Sequence, residues 1–245
     1  FLYGIFICFP AYYLNTTLGD IYSGRGISEG LISSFLTAAP VEEILKFSVL
    51  YSLVYKMKDF NEPVDGIVYG VTVSLGFATL ENIYYVYLLS DYFNSTEASM
   101  AILRAFTAIP AHGVFGATMG YFFMKYSFVK KQNNLALCMI VPICLHGAYN
   151  FFAYSFFIVS VLIVIISWVI VLKAFGRLKK SQKLKKLKLG IQSSSNIIPI
   201  SSWLKNQSIP VETALPHPKF LFLNKVSTLH SQLIFLKISL TFFIL

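Results

Sequence analysis

The chain has 245 residues, of which 56% are hydrophobic and only 13% are charged. Soluble domains carry about 25% charged residues, so this composition excludes an ordinary soluble protein and predicts an integral membrane protein. The net charge of +9 is concentrated near the C-terminus, because residues 173–245 hold 12 basic residues and one acidic residue. No nucleic-acid-binding pattern accompanies this charge, so we predict the lipid bilayer, and no nucleic acid, as its partner.

Six apolar segments approach or exceed the roughly 20 residues that a helix needs to cross a bilayer. They predict an all-α fold, a polytopic transmembrane helical bundle of about six visible spans. The first segment starts without methionine and inside an apolar run, so we expect the N-terminus to be truncated. In chain order the segments are residues 1–14, 31–55, 64–89, 100–126, 135–154 and 156–175.

Basic residues follow the second, fourth and sixth predicted spans, which places them on one side of the membrane if the spans alternate. The positive-inside rule assigns that side to the cytosol. We therefore predict a multi-pass protein of a plasma or inner membrane. Its predicted domains are a membrane-embedded helical domain over residues 1–178 and a basic, poorly ordered cytosolic tail over residues 179–245.

Charged and amide side chains lie inside four of the predicted spans. Each charge at mid-bilayer costs about 2.5–3.5 kcal/mol on insertion scales, so such residues mark functional sites or structural pairs. At a rise of about 1.5 Å per residue, one carboxylate or imidazole from each span falls within a slab roughly 6 Å thick. The candidate site residues are Glu42, Glu43 and Lys46 in the second span, Glu81 and Asn82 in the third, His112 in the fourth, and His146 and Asn150 in the fifth.

These side chains are compatible with three classes of function. A hydrolase uses buried carboxylates and imidazoles on water, and a proton-coupled transporter or proton relay passes protons between them. A non-catalytic membrane scaffold uses them to join helices, for example through a Glu42–Lys46 pair four residues apart. Convergence on one water-accessible cavity favours the enzyme, a continuous polar path across the bilayer favours transport, and dispersed pairs favour the scaffold.

The same residues form four motifs that resemble those of the PrsW family of intramembrane proteases, which is related to the CAAX-protease and bacteriocin-processing group. All four occur in family order over about residues 30–155. The resemblance implies an intramembrane endopeptidase, often labelled a metalloprotease, whose substrates are membrane proteins such as an anti-sigma factor. The motifs are Glu42-Glu43-Ile-Leu-Lys46 for EExxK, Phe77-Ala-Thr-Leu-Glu81-Asn82 for FxxxEN, His112-Gly-Val-Phe-Gly116 for HxxxG, and His146-Gly-Ala-Tyr-Asn150 for the last histidine motif, with Asn where some relatives carry Asp.

Peptide hydrolysis needs an activated water, a group that stabilises the oxyanion and a proton for the leaving amine. We predict that Glu42 or Glu43 is the general base and that the other carboxylate and Lys46 tune it. His112 and His146 either stabilise the oxyanion or bind zinc together with Glu43, because two imidazoles and a carboxylate suit that metal. The zinc motifs HExxH and HxxEH are absent from the sequence, so the residues leave the metal open, and we predict no other cofactor.

Overall fold

The computed structural model describes residues 1–22 and 27–195. Within these residues the chain forms helices and no strand, which confirms the predicted all-α class. Short 3-10 turns lie at Val54–Lys56 and Asp91–Phe93. The longer elements are α1 (Leu2–Tyr22), α2 (Ile27–Ile32), a π-helix (Ser33–Ala38), α3 (Ala39–Ser52), α4 (Pro63–Leu88), α5 (Glu97–Phe106), α6 (Ala108–Val129), α7 (Asn133–Ser155) and α8 (Phe157–Ser195).

Four segments of the described chain are long and apolar enough to cross a bilayer, where the sequence predicts about six spans. The other two predicted spans are helical but more polar. Polar residues from Asn15 onward lower the hydropathy of α1, and the three charges of α3 do the same for the second predicted span. The four apolar segments are Pro63–Leu88, Glu97–Val129, Asn133–Ser155 and Phe157–Leu184.

The second predicted span is a composite helix. It begins with α2, widens into the π-helix and continues directly as α3. Pro40 lies in the first turn of α3, where its missing N–H and its ring disfavour a regular hydrogen bond to the residue four positions earlier. A π-turn before the proline accommodates this mismatch, and π-turns often lie next to functional sites. The widened turn immediately precedes Glu42 and Glu43.

Helix α4 begins at a defined cap. Pro63 occupies the first helical turn, and a capping box joins Glu62 and Asp65. The Asp65 carboxylate accepts hydrogen bonds from the backbone N–H groups of Glu62, at 2.6 Å, and Asn61, at 3.0 Å. These bonds satisfy donors that a helix start leaves without partners. The capping role accounts for an acidic residue at the entrance of this apolar helix.

The fourth predicted span contains a break. Thr107 departs from helical geometry with φ −120° and ψ −66°, and it separates α5 from α6. Pro110 follows three residues later, and its ring and missing N–H disfavour a continuous helix through Phe106. The break makes α5 a separate segment, which contacts both α4 and α6.

Glycines let α4 and α6 approach closely. A Cβ atom added at Gly116 would lie 2.6 Å from Ser74 Cβ and 2.8 Å from the carbonyl carbon of Gly70. A Cβ at Gly66 would lie 2.6 Å from the Gly120 carbonyl oxygen. Small residues four apart commonly allow this packing in membranes. The contact fixes the relative position of the helices that carry Glu81 and His112.

We expect Gly116→Ala to destabilise the fold by about 1–3 kcal/mol, since the added methyl group meets backbone atoms that cannot rotate away. Unfolding in mixed detergent micelles measures the change. Gly176→Ala on α8 is the matched control, because nothing lies within 4 Å of a Cβ atom there. Equal stability of the two variants would contradict the close α4–α6 contact.

Helix α8 continues past the domain boundary predicted at residue 178 and ends at Ser195. Residues 179–195 of the predicted tail thus belong to this helix, as expected for a stretch rich in Lys and Leu, which favour helices. The chain separates into the compact units Phe1–Lys183 and Leu184–Leu245. Residues 196–245 of the predicted tail lie outside the described residues.

Candidate active site

Helices α3, α4, α6 and α7 bring their charged and imidazole side chains into contact. Glu43 is 0% exposed, Lys46 is 1% exposed, and His112 and His146 are each 2% exposed. Burying so many ionisable groups is costly unless they compensate one another. The carboxylate–imidazole cluster, as we call it, consists of Glu42, Glu43, Lys46, Glu81, His112 and His146.

Lys46 lies at the centre of this cluster. Its ammonium donates to Glu43 Oε1 at 2.7 Å and to His112 Nδ1 at 3.1 Å, and it lies 3.6 Å from Glu42 Oε2. Glu42 and Glu43 are four and three residues before Lys46, so one helix turn presents both carboxylates to it. The ring of Phe77 lies 4.3 Å from the ammonium and closes its remaining side.

His146 is oriented by Glu43. Its Nδ1–H donates to Glu43 Oε1 at 2.9 Å, and its ring stacks on Phe115 with centroids 4.7 Å apart. These contacts turn Nε2 toward Glu42, whose Oε2 lies 3.8 Å away. Because Nδ1 carries the proton, Nε2 keeps a lone pair.

His112 is oriented by Lys46 and Glu81. The ammonium donates to Nδ1, so the neutral ring carries its proton on Nε2 and donates to Glu81 Oε2 at 2.8 Å. Phe77 and Phe115 lie against the ring, each with a centroid separation of 5.8 Å. Each imidazole therefore has a carboxylate partner on one nitrogen.

Arg104 of α5 joins the outer side of the cluster. Its Nη2 donates to Glu81 Oε2 at 2.7 Å and its Nε donates to Asn82 Oδ1 at 2.5 Å. The structure thus connects Asn82 to Arg104. Among the residues that the structure describes, Asn82 has no direct hydrogen bond to the imidazoles.

A cavity of about 790 Å³ lies against the cluster. Glu42, Glu81 and Asn150 form part of its wall, together with Asn15 and Tyr12 of α1. The Asn15 amide Nδ2 lies 3.4 Å from Glu42 Oε1, whereas Glu42 Oε2 and Asn15 Oδ1 are buried without hydrogen-bond partners. Carboxylate and amide groups thus meet a space large enough for a peptide segment.

The donor set suits a metal ion. One ligand atom each from Glu42, His112 and His146 lie within 4.8 Å of one another. Metal-binding histidines usually donate their second N–H to a carboxylate, as His146 does to Glu43 and His112 does to Glu81. The sequence assigned the carboxylate ligand to Glu43; the geometry favours Glu42, because Glu43 is engaged with Lys46 and His146.

The family that the motifs indicate is also the family that most of the helical region matches. Residues 1–174 match the family described as PrsW family intramembrane metalloprotease. The chain belongs to the PrsW family. This membership confirms the predicted family, and the family description agrees with the predicted enzyme class, a peptide hydrolase of the membrane.

Several curated relatives share this region with the chain, and each carries the name Protease PrsW. The protein of Geobacillus kaustophilus is 39% identical over 158 residues, which are 62% of this chain and 64% of that protein. The Clostridioides difficile protein is 35% identical over 203 residues, 75% of this chain and 84% of that protein. The Bacillus subtilis protein is 36% identical, covering 62% of this chain and 66% of that protein. No solved protein structure shows significant similarity to this PrsW family member.

The structure brings six of the eight sequence candidates into one contacting cluster and places Asn150 on the adjoining cavity wall. The sequence prediction did not assign a role to Arg104 or Asn15. A lone arginine at the start of an apolar span needs a buried carboxylate partner. This requirement is the feature of the sequence that could have identified Arg104. For Asn15 the signal was weaker, since an asparagine near the end of an apolar helix is common at membrane interfaces.

Proposed function

We propose that this chain is an intramembrane endopeptidase that hydrolyses membrane-protein substrates at the carboxylate–imidazole cluster. The observation that carries the proposal is the meeting of Glu42, His112 and His146 beside a cavity that Glu42 helps to line. One oxygen of the Glu42 carboxylate, Oε2, is buried without a hydrogen-bond partner. Family membership supplies the reaction class.

Glu42 is the general base in this proposal. Its carboxylate takes a proton from water as the water oxygen attacks the scissile carbonyl carbon. The C–N bond then breaks, and Glu42 returns the proton to the leaving amine. In this proposal Lys46 holds positive charge 3.6 Å from the Glu42 carboxylate, and Asn150, which lines the cavity, donates to the carbonyl oxygen.

Glu42, His112 and His146 would hold a zinc ion, and Glu43 and Glu81 would orient the two imidazoles. A bound zinc ion activates water and polarises the scissile carbonyl. Lys46 Nζ lies 3.1 Å from His112 Nδ1, so in the absence of metal the ammonium supplies the positive charge that compensates the carboxylates. With zinc held there, Glu42 would serve as a ligand, so its role as general base belongs to the metal-free state. The cavity is common to both states.

The interior of the bundle favours hydrolysis over transport. On the side of Lys46 away from the cavity, the described helices pack as an apolar cluster that includes Leu50, Met119, Phe123 and Cys138. A proton or solute path needs polar groups across the whole bilayer. Within residues 1–22 and 27–195, the cluster ends against this apolar layer. With the basic loops in the cytosol, as predicted, the cavity opens toward the outer side, where α1 and α4 end.

The proposed function is tested with purified protein in lipid vesicles that contain a single-span membrane protein. An anti-sigma factor of that topology, the substrate class implied by the family resemblance, is a suitable probe. We expect the protein to cleave the probe and to bind about one zinc ion per chain. We expect His146→Ala to lose both the metal and the cleavage.

Metal content by mass spectrometry and the cleavage products on a gel give the two readouts. Cys8→Ser is not a useful control because Cys8 lines the cavity; Cys144→Ser, at an exposed position of α7, is the matched one. Full cleavage by His146→Ala would overturn the proposed site. Cleavage that survives removal of the metal would leave Glu42 and Lys46 as the reacting groups and would overturn the zinc assignment.

A further inference from the structure

Among the residues that the structure describes, Arg104 is the one cationic residue outside the four motifs whose side chain contacts motif residues. Its guanidinium uses Nη2 on Glu81 and Nε on Asn82, and it stacks on Tyr85 with 3.7 Å between the guanidinium carbon and the ring centroid. Its side chain is 13% exposed. Planar guanidinium groups form fixed two-point contacts of this kind, which a lysine cannot reproduce.

The contact reaches His112 through a single oxygen. Glu81 Oε2 accepts from Arg104 Nη2 at 2.7 Å and from His112 Nε2 at 2.8 Å. Glu81 is therefore held from both sides. The break at Thr107 lets α5 lie against α4 while α6 continues with His112. Arg104 is absent from the cavity wall, so it lies behind Glu81 with respect to the cavity.

We propose that Arg104 is a positioning residue of this active site. It fixes the Glu81 carboxylate in the orientation that accepts the His112 Nε2 proton, and thereby keeps His112 Nδ1 directed toward Lys46. It also bonds Asn82 and Glu81 at the same time, so that the side chains of these adjacent motif residues are held in a fixed relative position. This inference rests on the proposed peptidase function.

Four variants test the role: Arg104→Gln, Arg104→Lys, Glu81→Gln and the Arg104→Gln/Glu81→Gln double variant. We expect Arg104→Gln to lower kcat about 10–100-fold, the usual effect of removing an outer partner that orients a histidine of such a site. KM should change less than about twofold, since Arg104 does not line the cavity. Arg104→Lys should recover part of kcat, because it keeps the charge but contacts only one acceptor.

The double variant distinguishes a positioning effect of Arg104 on kcat from a general loss of protein stability. If Arg104 acts through Glu81, then adding Arg104→Gln to Glu81→Gln should lower kcat less than about threefold further. Arg177→Gln, an exposed arginine on α8, is the matched control with unchanged kcat. If Arg104→Gln does not fold, the same comparison is made with Arg104→Lys alone and combined with Glu81→Gln.

Three results would overturn the proposal. The first two are a kcat of Arg104→Gln within about threefold of the unmodified protein, and losses from the Arg104 and Glu81 substitutions that multiply in full. A loss expressed entirely in KM would also do so. Failure of the proposed function gives a different result from failure of the Arg104 proposal, because Glu42→Gln would then retain cleavage. An inactive Glu42→Gln beside a fully active Arg104→Gln would remove only the role of Arg104.

Discussion

Glu42→Gln is expected to lower kcat for peptide cleavage by a factor of about 10²–10⁴, the usual contribution of a positioned general base. Glutamine keeps the shape of the side chain and an oxygen that can accept from Asn15 Nδ2, the contact now 3.4 Å long. Its amide cannot take a proton from water. The variant should therefore insert and fold while losing the chemical step.

Single-turnover cleavage in vesicles measures this effect, with the amount of inserted protein determined in parallel. Glu97→Gln is the matched control, because Glu97 is exposed in the first turn of α5. We expect the control to cleave at the rate of the unmodified protein. A Glu42→Gln variant that kept more than about a tenth of kcat would exclude Glu42 as the base.

Lys46→Met is expected to destabilise the protein by about 3–5 kcal/mol, the cost of removing one partner from a buried ion pair. Lys46 is 1% exposed and compensates two carboxylates, Glu43 at 2.7 Å and Glu42 at 3.6 Å. Methionine fills a similar volume but leaves those carboxylates without their cation. Cleavage should fall as well, because the positive charge beside the reacting atoms is lost.

Unfolding in mixed detergent micelles and thermal unfolding report the loss of stability. Lys58→Met serves as the control, since Lys58 is exposed in the segment between α3 and α4. We expect the control to remain within about 0.5 kcal/mol of the unmodified protein. Similar stability of the two variants would show that Lys46 does not compensate the cluster.

Most of the site could be predicted from the sequence because membranes penalise charge. Glu42, Glu43, Lys46, His112 and His146 stand out in apolar spans, and their depth along each helix follows from a fixed rise per residue. Depth does not give rotation about the helix axis. Only the structure shows that Glu42 faces the cavity whereas Glu43 faces Lys46 and His146.

Other parts of the fold depend on contacts that hydropathy does not contain. The π-helix before Pro40 and the break at Thr107 arise from backbone constraints within segments that read as uninterrupted apolar spans. The break determines where α5 lies and therefore places Arg104 beside Glu81. Helix α8 continues beyond residue 178, where the composition changes from apolar to basic. Such a change marks the end of an apolar span but not the end of a helix.

The non-additivity of Glu42→Gln and His112→Ala is the most direct test of one shared site. Residues that act on the same reacting atoms show losses that do not multiply, because the first substitution already removes the joint function. We predict that the double variant in vesicles cleaves no more slowly than the slower single variant, within about threefold. Losses that multiply in full would show that the two side chains act separately and would contradict a single active site built from α3 and α6.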